Sequence, residues 1–264
     1  MDIGMSDPYW ALAAGCVPDA LPWDIPRIAH AAGFSSCGMW IDTKTTWDQY
    51  SLAKTKRSLR ETGMQLIDVE ALWLAGGVEP TDSHKIAIEA GLELGAKNVL
   101  VVSAHDEHDA SIEQFHALCA LAGDDIRVNL EFGEFTQIRS LPAAREFIRT
   151  VDHKAAGILV DLMHLNRAGD AFPDLNDQVF SYVQVCDFWQ SSKKMAGDAY
   201  IEAAVDGRCN LGEGEANRLD IQTVCRAGVD VSLEIRSKAL REEFPDPVSR
   251  ARQIWTTCHR KAFL

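Results

Sequence analysis

Four polar residues stand where apolar runs stop. "VNLE" ends on Glu131, "ILVD" on Asp161 and "SLE" on Glu234, while Gln184 lies near the end of "FSYVQVCD". Strand side chains alternate between two faces. Asn129 therefore shares a face with Glu131, Leu159 with Asp161, Tyr182 with Gln184, and Ser232 with Glu234. The opposite face carries Val128, Leu130, Ile158, Val160, Val183, Val185, Val231 and Leu233, which suits burial under helices. Three acids and an amide then converge on one polar face. Converging carboxylates repel each other and resist desolvation, and a bound cation relieves both costs. Oxygen donors favour Mg²⁺ or Mn²⁺, and an added His would shift the preference toward Mn²⁺, Co²⁺ or Zn²⁺.

The elements that must position these residues follow an alternating pattern. Eight short apolar runs cover 10–17, 35–41, 64–72, 97–104, 126–132, 157–162, 180–187 and 228–235. Helical periodicity covers 22–33, 49–63, 81–95, 109–122, 141–151 and 246–260, with shorter helices expected at 172–179 and 217–227. Gly33, Gly63 and Gly95 stand just past helix ends, and Pro22, Pro80 and Pro142 near helix starts. Strands alternating with helices imply parallel pairing through right-handed crossovers. Eight such units predict an α/β fold, one (β/α)8 TIM barrel domain over residues 1–264. The first run is not followed by G-x-G-x-x-G, which weighs against a doubly wound dinucleotide-binding sheet. Residues 188–216 read as a long irregular link, which a barrel would place on its C-terminal face.

Composition sets the bounds. The 264 residues are 47% hydrophobic and 25% charged, with a net charge of -13. An acidic chain argues against nucleic acid or an anionic membrane as partner. The seven cysteines include no C-x-x-C pair and read as free thiols in a reducing compartment. The first residues are acidic and lack a basic region, unlike a signal peptide. No apolar run approaches the ~20 residues of a membrane span. The expectation is a cytoplasmic protein with a small-molecule substrate; a homo-oligomer is compatible with the sequence.

The segments "LIDVEAL" (66–72), "NLEF" (129–132), "LVDLMHLNRAG" (159–169), "YVQVCD" (182–187), "GRCNLGEGE" (207–215) and "SLEI" (232–235) resemble, in order and spacing, the sugar phosphate isomerase/epimerase superfamily. Its fold is the xylose-isomerase-like, endonuclease-IV-like TIM barrel. The resemblance implies one divalent metal held by Glu131, Asp161, Gln184 and Glu234. Members usually carry His where this chain has Gln184. A neutral amide oxygen makes the site harder, suited to Mn²⁺ or Mg²⁺ ahead of Co²⁺ or Zn²⁺. A Gln here is also similar to the 3-dehydroshikimate dehydratases of the same barrel. His164 and Arg208 match positions that face substrate oxygens in the family. The implied chemistry is proton abstraction α to the carbonyl of a polyhydroxy or cyclic substrate. Glu131 or Glu234 would act as the base, His164 would assist the developing oxyanion, and the metal would stabilise the enediolate. Returning the proton elsewhere isomerises or epimerises; expelling a β-hydroxyl dehydrates. A non-catalytic binding protein on the same barrel is a further alternative. A DNA-cleaving member would need several His ligands and a basic surface, which this acidic chain lacks.

Other residues carry weaker signals. Glu70 also ends a strand and either reaches the pocket or forms an ion pair. Arg167 and Arg236 are candidates for a carboxylate or phosphate, or for pairing with acids. Trp189, in the long link, either walls a ligand or packs beneath the loop. Asp187 has the wrong strand parity for a ligand and is expected to position the following loop. His105 and His108, in "SAHDEHD", are expected in loop or capping roles.

Overall fold

The computed structural model describes residues 10–74, 76–104, 107–190 and 197–262, with side chains described as far as residue 258. Eight parallel strands close into a barrel. In chain order they are β1 (Trp10–Leu12), β2 (Ser36–Trp40), β3 (Gln65–Leu74), β4 (Asn98–Ser103), β5 (Arg127–Glu131), β6 (Ala156–Asp161), β7 (Phe180–Val185) and, after two short strands, β10 (Asp230–Leu233). The circular order is β1-β10-β7-β6-β5-β4-β3-β2, so consecutive barrel strands are neighbours and β10 seals the barrel against β1. The two short strands, β8 (Asp187–Phe188) and β9 (Arg208–Cys209), pair antiparallel outside the barrel.

The helices between them are α1 (Ile25–Ala32), α2 (Ser51–Thr62), α3 (Asp82–Leu94), α4 (His108–Ala122), α5 (Leu141–Val151), α6 (Leu162–Ala168), α7 (Asp198–Asp206), α8 (Arg218–Arg226), α9 (Lys238–Glu243) and α10 (Pro247–Ala262). The two-faced strand pattern holds. Val128, Leu130, Ile158, Val160, Val183, Val185, Val231 and Leu233 belong to the main core beneath the helices. Inside the barrel sits a separate cluster of Ala11, Ile67, Leu100, Val102, Leu159 and Tyr182. Among the described residues no helix is long and apolar enough to cross a membrane.

Two expectations are corrected. No helix forms at 172–179. There Asp174 accepts from the Asn176 N–H at 3.0 Å and Asp177 from the Val179 N–H at 3.1 Å, local turns that compete with a helix. The helix lies earlier, at α6, because Asp161 caps it: Oδ1 accepts from the N–H groups of Met163 (2.7 Å) and His164 (3.2 Å). Gly169 ends it in the left-handed conformation, φ 72°. The link at 188–216 is also more regular than expected. It contains the second residue of β8 and all of α7 and β9, and residues 191–196 lie outside the described part.

Register sets the site. Asp161 lies opposite Gln184, and Gln184 opposite Ser232. Glu131 is the last residue of β5, and Glu234 follows β10 with its N–H bonded to the Val185 carbonyl at 3.1 Å. Four strand ends thus bring the four polar side chains to the C-terminal mouth of the barrel, where barrel enzymes hold their chemistry.

Candidate active site

The centre of the mouth is an ionic cluster around Arg208. Its Nη1 donates to Asp161 Oδ2 at 2.6 Å and its Nη2 lies 2.9 Å from Glu234 Oε2. Nε donates to the Ala204 carbonyl at 2.8 Å, and Nη1 also faces Cys186 Sγ at 3.3 Å. The guanidinium is 3% exposed and joins two of the four strand-end residues. The β8–β9 pairing delivers it: Phe188 lies opposite Arg208, so the link after β7 folds back over the mouth. Asp187 positions that link, as expected. Its Oδ1 accepts from the Phe188 and Ala216 N–H groups, both at 2.8 Å, and its Oδ2 from Gly212 at 2.9 Å.

His164 stands beside the acids. Its Nδ1 is 2.8 Å from the Tyr200 hydroxyl, and its Nε2 is 3.8 Å from Glu131 Oε1 and 3.9 Å from Asp161 Oδ2. Phe135 packs against the ring with centroids 5.0 Å apart. Burial pulls the imidazole down to about 4, against the attraction of Asp161 and with the help of Arg208 and Arg167, so it is neutral at physiological pH. Burial pushes Glu131 well above the carboxylate range, aided by Glu234 and Asp161. Burial raises Glu234 likewise, with Asp161 and Glu70 overcoming the pull of Arg208. At Asp161 burial works upward too, but Arg208 and His164 more than offset it and hold the carboxyl far below the usual range. One ionised acid beside two of raised proton affinity is an arrangement that separates acid and base roles.

Glu70 reaches the same cavity. Its Oε1 accepts from the Ala14 N–H at 3.0 Å, and burial, with Asp68 beside it, moves it up to about 8. Arg236 and Glu70 both line a cleft of about 640 Å³ next to the mouth. Arg167, at the end of α6, lies over the rings of Tyr200 (5.0 Å) and Phe188 (5.7 Å). Trp189 is 59% exposed, so it does not pack beneath the loop. His108 opens α4 against Phe147, centroids 5.7 Å apart, while His105 lies outside the described residues.

Residues 26–229 match the profile of the xylose isomerase-like TIM barrel. The chain belongs to that family. Solved structures agree on the fold. The IolI protein with a bound zinc atom superposes with a TM-score of 0.75 at 14% identity, over 96% of this chain and 98% of that one. The probable 3-DHS dehydratase AsbF from Bacillus anthracis, involved in petrobactin synthesis, gives 0.72 at 15%, over 94% and 98%. The D-allulose 3-epimerase from Methylomonas sp. gives 0.68 at 15%, over 97% and 98%. A comparison with curated proteins gives no match.

The donors present fit the divalent metal that this barrel family implies. Glu131, Asp161 and His164 offer three ligand atoms all within 4.8 Å of one another. Both amide atoms of Gln184 are buried without a hydrogen-bond partner among the described residues, as is normal only where something else takes them up. The cluster thus sets His164 directly beside the acids.

Sequence reasoning missed Tyr200, Asp68 and Phe135. Tyr200 and Ala204 are the two buried positions of α7, an i, i+4 pair inside the stretch taken as irregular, and that spacing was its one signal. Asp68 is buried in the barrel against Tyr182, and burial raises its carboxyl to about 7. It faces inward because β3 carries an extra residue against β2, pairing Leu66 and Asp68 with the consecutive Cys37 and Gly38. Gly38 is required there, since a Cβ would lie 2.4 Å from Asp68 Oδ1.

Proposed function

We propose that this protein is a divalent-metal-dependent isomerase or epimerase of a sugar or another polyhydroxy carbonyl compound. The observation that carries the reading is the convergence of Glu131, Asp161, Gln184 and Glu234, with His164, at the C-terminal mouth. Glu131, Asp161 and Glu234 would hold the metal, with Gln184 completing the set. When bound, a divalent ion supplies Lewis acidity that favours the enediolate.

The chain's own groups divide the remaining work. A carboxylate of raised proton affinity, Glu131 or Glu234, takes the proton α to the carbonyl. The Tyr200 hydroxyl, donating to Nδ1 of the neutral His164, leaves the imidazole proton on Nε2, on the side of the acids and the mouth. From there it can donate to the developing oxyanion. Arg208 holds Asp161 and Glu234 in place, as a positioning residue with further capacity for a substrate oxygen. Returning the proton to the neighbouring carbon gives an isomer, and to the opposite face an epimer.

Dehydration is the second reading, favoured by Gln184 and by the structural likeness to the 3-DHS dehydratase AsbF. The same base would remove the α-proton and a protonated neighbour would release the β-hydroxyl as water. Stripping with chelator and titrating Mn²⁺ by calorimetry tests the shared core. One site per chain, lost in Glu234→Ala, is expected. Absence of binding by the folded parent sinks the metal site and leaves a binding protein on this barrel. A carbonyl panel in D₂O that includes 3-dehydroshikimate then separates α-proton exchange from loss of water.

A further inference from the structure

Arg236 follows the strand end that carries Glu234, yet it points to a different place. It lines the cleft of about 640 Å³ together with Trp40, Lys44, Glu70, Trp73 and Ser83. Its stem lies across Gly15, where a Cβ would meet Cγ and Cδ at 2.5 Å. Its guanidinium lies over the Trp40 ring, 5.1 Å from the centroid. The backbone around it is pinned: the Ile235 N–H donates to Cys16 Sγ at 3.2 Å, and the Arg236 carbonyl accepts from the Arg208 N–H at 3.1 Å. Two arginines thus stand on adjoining backbones, one facing the acids and one facing the cleft.

The two differ in what they bind. Arg208 bridges Asp161 and Glu234, whereas Arg236 has no carboxylate within ion-pair distance among the described residues. Its Nε is buried without a hydrogen-bond partner among the described residues. Glu70, whose carboxyl feels the charge of Arg236 without pairing with it, gives Oε1 to the Ala14 N–H, and Asp42 is turned into its own loop, accepting from Lys44 N–H at 2.8 Å. A guanidinium that rests its face on an indole keeps its in-plane N–H donors for something else. A planar fork of donors matches the paired oxygens of a carboxylate or a phosphate. Lys44 at the rim adds a second positive charge, and Trp40 and Trp73 give walls for the carbon skeleton. In a chain of net charge -13, this pair of cations offers an anion local attraction against an acidic background.

We propose that this cleft is a subsite for an oxyanion, and that the substrate is a polyhydroxy or cyclic carbonyl compound bearing a carboxylate or phosphate held by Arg236 on the Trp40 platform. The proposal rests on the reading of the mouth as the reaction centre, because it places the charged end of that same substrate. Its test is equilibrium binding, which needs no turnover. D-Gluconate, D-glucitol 6-phosphate and neutral D-glucitol are titrated into the parent, Arg236→Gln and Gly15→Ala, the last of which displaces the arginine stem without altering charge. At least one anion is expected to bind tenfold or more tighter than glucitol, and which one tells carboxylate from phosphate. Either variant should bring that preference to within about twofold. Equal binding of all three by the parent, no binding of any, or an undiminished preference in a folded variant overturns the subsite. An anion preference without α-proton exchange from any carbonyl compound in D₂O sinks the reaction and leaves the subsite. Exchange from neutral ketoses without anion preference does the reverse.

Discussion

At position 184 a neutral amide meets Asp161 across the β6–β7 pairing, buried and with neither amide atom hydrogen-bonded among the described residues. An imidazole in that place would add a softer, nitrogen donor to a cluster of oxygens. Gln184→His is therefore expected to raise affinity for Zn²⁺ relative to Mn²⁺ by about tenfold or more, following ligand softness. Competition titration of the chelator-stripped protein measures it, and an unchanged preference would remove Gln184 from the metal site. Arg208 offers a second test of the same cluster. Arg208→Met keeps most of the volume but leaves Asp161 and Glu234 facing each other without their cation. Losing one partner of a buried ionic group costs about 3–5 kcal/mol, and urea unfolding should report a loss of that size. A loss under about 1 kcal/mol, the scale of an exposed pair, would mean that the acids draw their compensation from elsewhere.

Elements explain which parts of the site could be read in advance. Strand alternation alone put Glu131, Asp161, Gln184 and Glu234 on one face, because period 2 is set by backbone geometry and the opposite face is aliphatic. The helix of the long link, α7, had no such guide. Tyr200 is buried against His164 by tertiary packing of α7, and only two of its positions are buried, too thin a stripe to separate from a loop. The inward turn of Asp68 depends on the β3 irregularity, which pairing with β2 creates. The start of α3 supports a prediction of its own. Thr81 and His84 form a reciprocal cap: Thr81 Oγ1 accepts from the His84 N–H, and His84 Nδ1 accepts from the Thr81 N–H, both at 3.3 Å. Nε2 then carries the proton and donates to the Trp73 carbonyl at 3.0 Å. Protonation would turn Nδ1 into a donor facing a donor. Burial lowers the pKa of this imidazole below 6.5, so the unfolded chain takes the proton first. Its contribution is full above that value and declines as pH falls below it. His84→Ala should cost about 1 kcal/mol at pH 7.5, the worth of a cap, and less at pH 5.5. Thermal melts at the two pH values check this; an equal or larger cost at the lower pH would contradict it.

At the scale of the whole molecule, a closed barrel must join its first strand to its last, and the seam between β1 and β10 has only three paired positions. The C-terminal helix reinforces it. Trp255 of α10 packs against Trp10 of β1 (centroids 6.5 Å) and Phe34 (4.9 Å). Arg250, 1% exposed, donates through Nε to the Cys16 carbonyl at 3.0 Å and through Nη1 to the Phe244 carbonyl at 3.1 Å, and pairs with Asp19. It therefore ties α10 to the segment after β1, whose Cys16 thiol in turn bonds the Leu233 carbonyl and the Ile235 N–H at the end of β10. These are the same residues that present Glu234 and Arg236. A change remote from the mouth should thus reach it through the backbone. Arg250→Met leaves one buried and one part-buried carbonyl without their donor, at about 3 kcal/mol together, or ~6–12 °C in melting temperature for a chain of this size. If the seam, α10 and the mouth form one cooperative unit, tryptophan fluorescence and circular dichroism will show a single transition with the midpoint lowered and its denaturant slope unchanged. A separate early transition, with the bulk of the helical signal retained, would instead show that the seam opens by itself and that the site residues on β10 lie outside the stable part of the barrel.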